Sequence, residues 1–156
     1  MADADKDVAG VIAPPPLIYV AGFALGWLLE TRWPSPPLPA PAADWIGWTL
    51  IAAGVAVVVW SIVAMAQVKT SVNPYSPTAA IATSGPYQYS RNPIYVADIV
   101  IYIGFCALFD MLWPLAILPV VVIVLHKGVV EREERYLERR FGQLYAVYCS
   151  RVRRWI

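Results

Sequence analysis

Residues Trp45 to Ala66 form an unbroken run of 22 uncharged residues. At 1.5 Å per residue a helix of that length extends about 33 Å, the thickness of a bilayer's hydrocarbon core. Trp45, Trp48 and Trp60 fall toward its ends, where aromatic rings favour the membrane interface. A segment with no polar face has to be surrounded by lipid or by other apolar helices, so it decides what the rest of the chain must be. With 59% hydrophobic and only 15% charged residues among 156, and a mean hydropathy of +0.56, the chain lies outside the range of soluble domains. The expected fold is all-α: a polytopic integral membrane helical bundle of about four transmembrane helices, with a helical hairpin and a cytoplasmic C-terminal extension.

Val11 to Leu29 is apolar but opens with Pro14-Pro15-Pro16, which predicts a helix over Leu17 to Glu30 only. Met1 to Val8 carries three Asp and one Lys, the wrong flank for a cleaved signal peptide, so the first apolar segment is expected to stay. Thr31 to Asp44 holds Pro34, Pro36, Pro37, Pro39 and Pro41 and reads as a stiff connector outside the hydrocarbon. Gln67 to Arg91 is polar and interrupted by Pro74 and Pro77. Loops of that length are usually functional or disordered. Pro93 to Phe109 and Met111 to Leu125 are apolar runs separated only around Asp110, the pattern of a tight helical hairpin. From Val120 to Phe141 there is no Pro and one Gly, Gly128, so the fourth helix should continue beyond the membrane. No internal repeat is visible. The chain divides into an N-terminal membrane region, 1–72, and a region carrying the candidate chemistry, 73–156.

Charge fixes the expected orientation. With four spans, one side collects eleven of the twelve Lys and Arg residues and only Arg32 lies opposite, which makes the shared side cytoplasmic and the membrane an inner, cytoplasmic-type one. Lys127 to Ile156 alone holds eight basic residues against four acids. That imbalance is the ordinary positive-inside signal and recommends no nucleic acid. Cys106 and Cys149 have no metal-type spacing, so neither a zinc site nor a disulfide framework is supported.

The most specific stretch is Ser84 to Tyr95. Gly85-Pro86 marks the end of a loop. Asn92-Pro93 reads as a helix start, with an N-cap side chain followed by a residue that needs no N–H. Tyr87, Tyr89, Arg91 and Asn92 are thereby delivered to the mouth of a membrane helix, where helix N–H groups and a guanidinium can hold an anion. The alternative is an interfacial anchor of aromatic and basic residues. On the same helix Tyr95, Asp98 and Tyr102 share one face, and an ionisable group inside a membrane segment points to a functional site. The plainer reading takes Asp98 to the interface, where the helix dipole stabilises it. Further on, His126, Val130, Glu133 and Leu137 form one stripe and Val130, Glu134, Leu137 and Phe141 another, so a carboxylate lies on an otherwise apolar face. Glu131 and Arg135 make a simple solvated pair four residues apart, and His126 fits an interfacial role as well as a site. Tyr136, Tyr145, Tyr148 and Trp155 interleave with arginines, the composition of a segment lying on anionic headgroups. With one histidine in the chain, no Ser-His-Asp set can be assembled, and neither a Walker loop nor a Rossmann glycine pattern is present.

Taken in order, Gly85-Pro86-Tyr87, Arg91-Asn92-Pro93-Ile94-Tyr95, Glu133-Glu134-Arg135-Tyr136-Leu137, Phe141-Gly142 and Val152-Arg153-Arg154-Trp155 resemble the isoprenylcysteine carboxyl methyltransferase family, itself related to the phospholipid N-methyltransferases. The resemblance covers about Asn73 to Ile156. It implies a membrane-embedded methyltransferase that uses S-adenosylmethionine, with the cofactor near the last two membrane helices and the C-terminal segment, open to the cytosol, and the acceptor arriving from the lipid. Carried over by position, Arg91 and Glu134 are the expected catalytic residues. Gly85, Pro86, Tyr87, Asn92, Pro93, Tyr95, His126, Glu133 and Glu134 are the expected cofactor-binding residues, with Asp98 and Tyr102 toward the substrate and no metal. The family's commoner pattern has His at the position of Asn92 and Gly at that of Ala97, so a titrating role at residue 92 is absent here. The expected acceptor is a prenylcysteine-like carboxylate or another small membrane-partitioning molecule. A phospholipid amine, a non-enzymatic membrane scaffold and a sterol-reductase-like oxidoreductase are the competing readings, and membrane lipids are the expected partners.

Overall fold

The computed structural model describes residues 8–37, 42–73 and 75–156. The acidic flank at residues 1–7, residues 38–41 of the connector, and Pro74 lie outside the described residues. Every regular element among those described is helical: α1 (Pro15–Arg32), α2 (Ala42–Gln67), a 3-10 turn (Gly85–Gln88), α3 (Pro93–Leu108), α4 (Leu112–Leu125), a π-helical segment (His126–Val130), α5 (Glu131–Phe141) and α6 (Gln143–Arg151). Among the described residues two stretches are long and apolar enough to cross a membrane, Ala42–Gln67 and the continuous helical rod Leu112–Phe141. Their outward faces are coated with large apolar side chains such as Trp45, Trp48, Trp60, Val120 and Ile123.

Helix α1 begins at Pro15, two residues earlier than its composition predicts. Pro15 and Pro16 occupy the first two helical positions, where a missing N–H breaks no intrahelical bond. The turn Phe109–Met111 joins α3 to α4 tightly, with Asp110 in the left-handed region at φ +56° and the Met111 N–H returning to Cys106 O at 3.0 Å. Yet these chain neighbours touch little; α3 packs mainly along α2, and α4 along α1. Small residues explain the pairing. A Cβ on Gly47 would stand 3.0 Å from Gly104 O, and one on Gly54 would stand 2.9 Å from Ala97 O, so α2 and α3 meet backbone to backbone as membrane helices do at small-residue seams. On the other side of the bundle, Tyr19, Tyr102, Cys106, Leu118, Val121 and Leu125 form the core, and the Tyr102 hydroxyl donates to Pro114 O at 3.0 Å.

Candidate active site

The π-helical segment shifts the register of the long rod just before its charged half. Such insertions recur at functional sites, and here the segment sets the azimuth of Glu133 and Glu134 on the first turns of α5. Both carboxylates face the N-terminus of α3. Tyr95 donates to Glu133 Oε1 at 2.8 Å. Arg91 Nη1 lies 3.1 Å from Glu134 Oε1, and Arg154 grips the same carboxylate with two N–H groups, Nε at 3.0 Å and Nη2 at 2.7 Å. Bidentate pairing of this kind is among the stronger polar contacts a protein makes.

The C-terminal segment is thus sewn to the α3 mouth. The Arg91 N–H donates to Arg153 O at 3.0 Å, and Asn92 Nδ2 donates to Arg154 O at 3.0 Å. Asn92 precedes the helix as expected but makes no side-chain capping bond; its amide is spent on the chain end instead. The Tyr148 hydroxyl donates to Tyr87 O at 2.8 Å, and Arg91 Nη1 donates to Cys149 Sγ at 3.0 Å. Tyr136, Tyr145 and Tyr148 are buried, which corrects the expectation that these tyrosines lie on headgroups: they turn inward while Arg139, Arg140, Arg151 and Arg153 stay exposed. Burial pushes the phenols of Tyr87 and Tyr148 above their ordinary range, and for Tyr145 the nearby Glu134 charge adds to burial. Burial opposes the charge of Arg91, but Glu134, Cys149 and Tyr145 beside it together outweigh burial and its pKa is raised.

Between these elements lies a cavity of about 390 Å³, within the range of small-molecule sites. Tyr87, Arg91, Asn92, Pro93 and Tyr95 line it, and so do Asp98, Glu133 and Glu134. The long loop after α2 contributes Thr70, Ser71, Asn73, Tyr75 and Thr78. It is held down by the Thr78 N–H donating to the Tyr136 hydroxyl at 3.0 Å. Gly85, Pro86, His126 and Tyr102 are not among the lining residues. Gly85 serves the turn, at φ +60° with room for no large group beside Trp60 Nε1. Tyr102 is a core residue hydrogen-bonded within the bundle. His126 sits against Trp155, ring centroids 5.9 Å apart, with Nε2 3.4 Å from Glu131 Oε1. Glu131 also pairs with Arg135 at 3.7 Å as the four-residue spacing predicts.

The donor set suits a zwitterionic, sulfonium-bearing cofactor. Glu133 and Asp98 offer carboxylates to cationic groups, the tyrosines offer aromatic faces, and Arg91 Nε is buried without a hydrogen-bond partner among the described residues, a donor available to an anionic ligand group. No group of three or more His, Cys, Asp or Glu among the described residues is placed to hold a metal ion. The C-terminal segment is expected near the cofactor, but its pairing of Arg154 with Glu134 is not. Its signal was the spacing of Tyr145 and Tyr148, three apart and therefore on one helix face, with Arg154 beyond them.

A family model described as phospholipid methyltransferase matches residues 42–144, which spans α2 through the first residues of α6. The chain belongs to the phospholipid methyltransferase family. It is also similar to the cobalt-zinc-cadmium resistance protein CzcN of Cupriavidus metallidurans, 31% identical over 72 residues that make up 46% of this chain and 33% of that protein. The matched part is thus about a third of that relative's length.

Proposed function

We propose that the protein is an integral membrane methyltransferase that uses S-adenosylmethionine to methylate a lipophilic acceptor, with four spans and its cavity facing the cytoplasm. The observation that carries this reading is the cavity itself: in a member of a methyltransferase family it brings Arg91, Asn92, Tyr95, Glu133 and Glu134 together from segments some forty residues apart. The cofactor supplies an electrophilic methyl group on a sulfonium centre. Glu133, held by Tyr95, favours positive charge beside it, and Arg91 Nε takes an anionic group. Glu134 is already matched by two guanidinium groups, so its role is to fix Arg91 and the chain end around the site. The chain's main contributions are alignment and exclusion of water, and the buried tyrosines of α6 close the cavity on that side.

Two carboxylates, Asp98 and Glu133, remain on the cavity after Glu134 is paired. They favour an amine acceptor, as in a phospholipid headgroup, over a prenylcysteine-like carboxylate. An amine must lose a proton, and Asp98 or Glu133 is positioned on the cavity wall to receive it. A carboxylate acceptor needs no base and is the second reading, with Arg91 on the cavity as the cation nearest to it. Transfer of labelled methyl groups from S-adenosylmethionine to phosphatidylethanolamine and to an S-farnesyl-N-acetylcysteine, measured side by side, decides between them. Methylation of phosphatidylethanolamine alone is expected, and methylation of neither contradicts the proposal.

A further inference from the structure

Residues Val8–Pro14 cross the bundle ahead of α1 as a strap. Ala9 and Val11 are buried in the core cluster with Leu125, Val129 and Tyr136. The Ile12 N–H donates to Gly128 O at 3.2 Å, and Arg132 Nη1 donates to Gly10 O at 2.8 Å. Both anchors lie just ahead of Glu133, on the π-helical segment and the first turn of α5. Gly128 forms the seat: a Cβ there would overlap Ile12 Cδ1 and stand 2.7 Å from Ile12 Cγ1, but 3.8 Å from Ile12 Cβ. Ile12 is 54% exposed but β-branched and stiff at its first torsion, so relieving the Cγ1 overlap takes a change of that torsion or a shift of the strap.

The strap also meets the cavity. Ala9 lines it, as do Pro14, Pro15 and Pro16 where the strap runs into α1. These groups are apolar, whereas the polar lining comes from the loop after α2 and from the starts of α3 and α5. Leu137, also on the cavity, packs on the same core cluster as Ala9 and Val11. The loop after α2 adds apolar groups of its own, Val72, Ala80, Ile81 and Ala82, so the strap supplies part of the cavity's apolar lining and none of its charged groups.

We propose that the strap forms part of the acceptor-side wall of the cavity and helps determine which lipophilic acceptors fit, with Gly128 as the positioning residue that seats it. The inference rests on the methyltransferase reading above and adds to it the residues that select the apolar part of the acceptor.

The test uses the full chain in dodecyl maltoside. Steady-state methylation of dihexanoyl-phosphatidylethanolamine and of S-farnesyl-N-acetylcysteine is measured beside calorimetric affinity for S-adenosylhomocysteine. Gly128→Ala and Arg132→Ala lift the strap by separate means. Arg132 is exposed, so its loss leaves the core intact. Each is expected to raise the acceptor KM at least tenfold, with kcat within threefold and S-adenosylhomocysteine affinity within twofold of wild type. In the double variant Gly128→Ala/Ile12→Ala only the Cβ at position 12 faces the new methyl, at ordinary contact distance, and KM is expected to return to within threefold of wild type. Unchanged KM in both single variants, a parallel loss of S-adenosylhomocysteine affinity, or failure of the double variant to recover overturns the strap's role while leaving the enzyme class standing. A wild-type chain that binds S-adenosylhomocysteine but methylates neither probe overturns it too. If the wild type neither binds S-adenosylhomocysteine nor methylates, the underlying reading fails and the strap's role fails with it.

Discussion

Replacing Glu134 with Gln asks whether this carboxylate serves the ligand or the architecture. Glu134 receives three N–H contacts, two from Arg154 and one from Arg91. The amide keeps one acceptor oxygen, loses the charge, and turns an NH2 group toward guanidinium donors. Charge-assisted hydrogen bonds contribute about 1.5–3 kcal/mol each. Arg154 is 39% exposed and recovers much of its loss from water, whereas Arg91 at 17% exposure recovers little. The expected net loss is about 2–3 kcal/mol, confined to the docking of α6 and the chain end on α3. At 1.4 kcal/mol per tenfold, that speeds amide exchange in Gln143–Arg151 by about 30- to 150-fold. Hydrogen exchange followed by mass spectrometry reads this directly, with the α2 peptides as an internal standard expected to be unchanged. Glu131→Gln is the control, because its pair with Arg135 is a solvated helix-surface pair worth about 0.5 kcal/mol or less. Exchange in α6 unchanged in Glu134→Gln, together with weakened S-adenosylhomocysteine binding, would refute the architectural role and return Glu134 to the ligand.

Other substitutions separate the remaining roles. Glu133→Gln leaves the fold intact and weakens S-adenosylhomocysteine binding by about 1.5–3 kcal/mol in calorimetry, while Tyr95→Phe, which only frees that carboxylate, has a smaller effect of about 1 kcal/mol. Tyr148→Phe strips the donor from Tyr87 O and destabilises the α6 docking by about 1–2 kcal/mol, again read by exchange. Gly85→Ala forces a side chain into the left-handed region beside Trp60 and lowers stability by about 1–2 kcal/mol, measured by thermal unfolding in detergent.

The apolar helices were legible because long uncharged runs leave the backbone little choice: the run Trp45–Ala66 lies inside the observed Ala42–Gln67, and Pro93 begins α3 where Asn92-Pro93 predicts. Helix α1 starts two residues before its composition predicts because proline, a breaker inside a helix, is an acceptable first-turn residue. At the site, the residues of local motifs came together as their order suggests, since Arg91, Tyr95, Glu133 and Glu134 meet on one cavity. Contacts made through the chain's end were not legible. Glu134 beside Glu133 is paired by Arg154, twenty residues on, whose carbonyl also captures the Asn92 amide that local rules assign to a helix cap. The strap was equally hidden: nothing in Val8–Pro14 announces that Ile12 fits a space left by Gly128.

The measurement that tests the central claim most directly is calorimetric titration of the detergent-purified wild-type chain with S-adenosylmethionine and S-adenosylhomocysteine, beside a reduced nicotinamide. Saturable one-site binding of both sulfur nucleosides, weakened in Glu133→Gln, and no heat from the nicotinamide are predicted. Absence of binding by either sulfur nucleoside, or tight binding of the nicotinamide alone, would contradict the account.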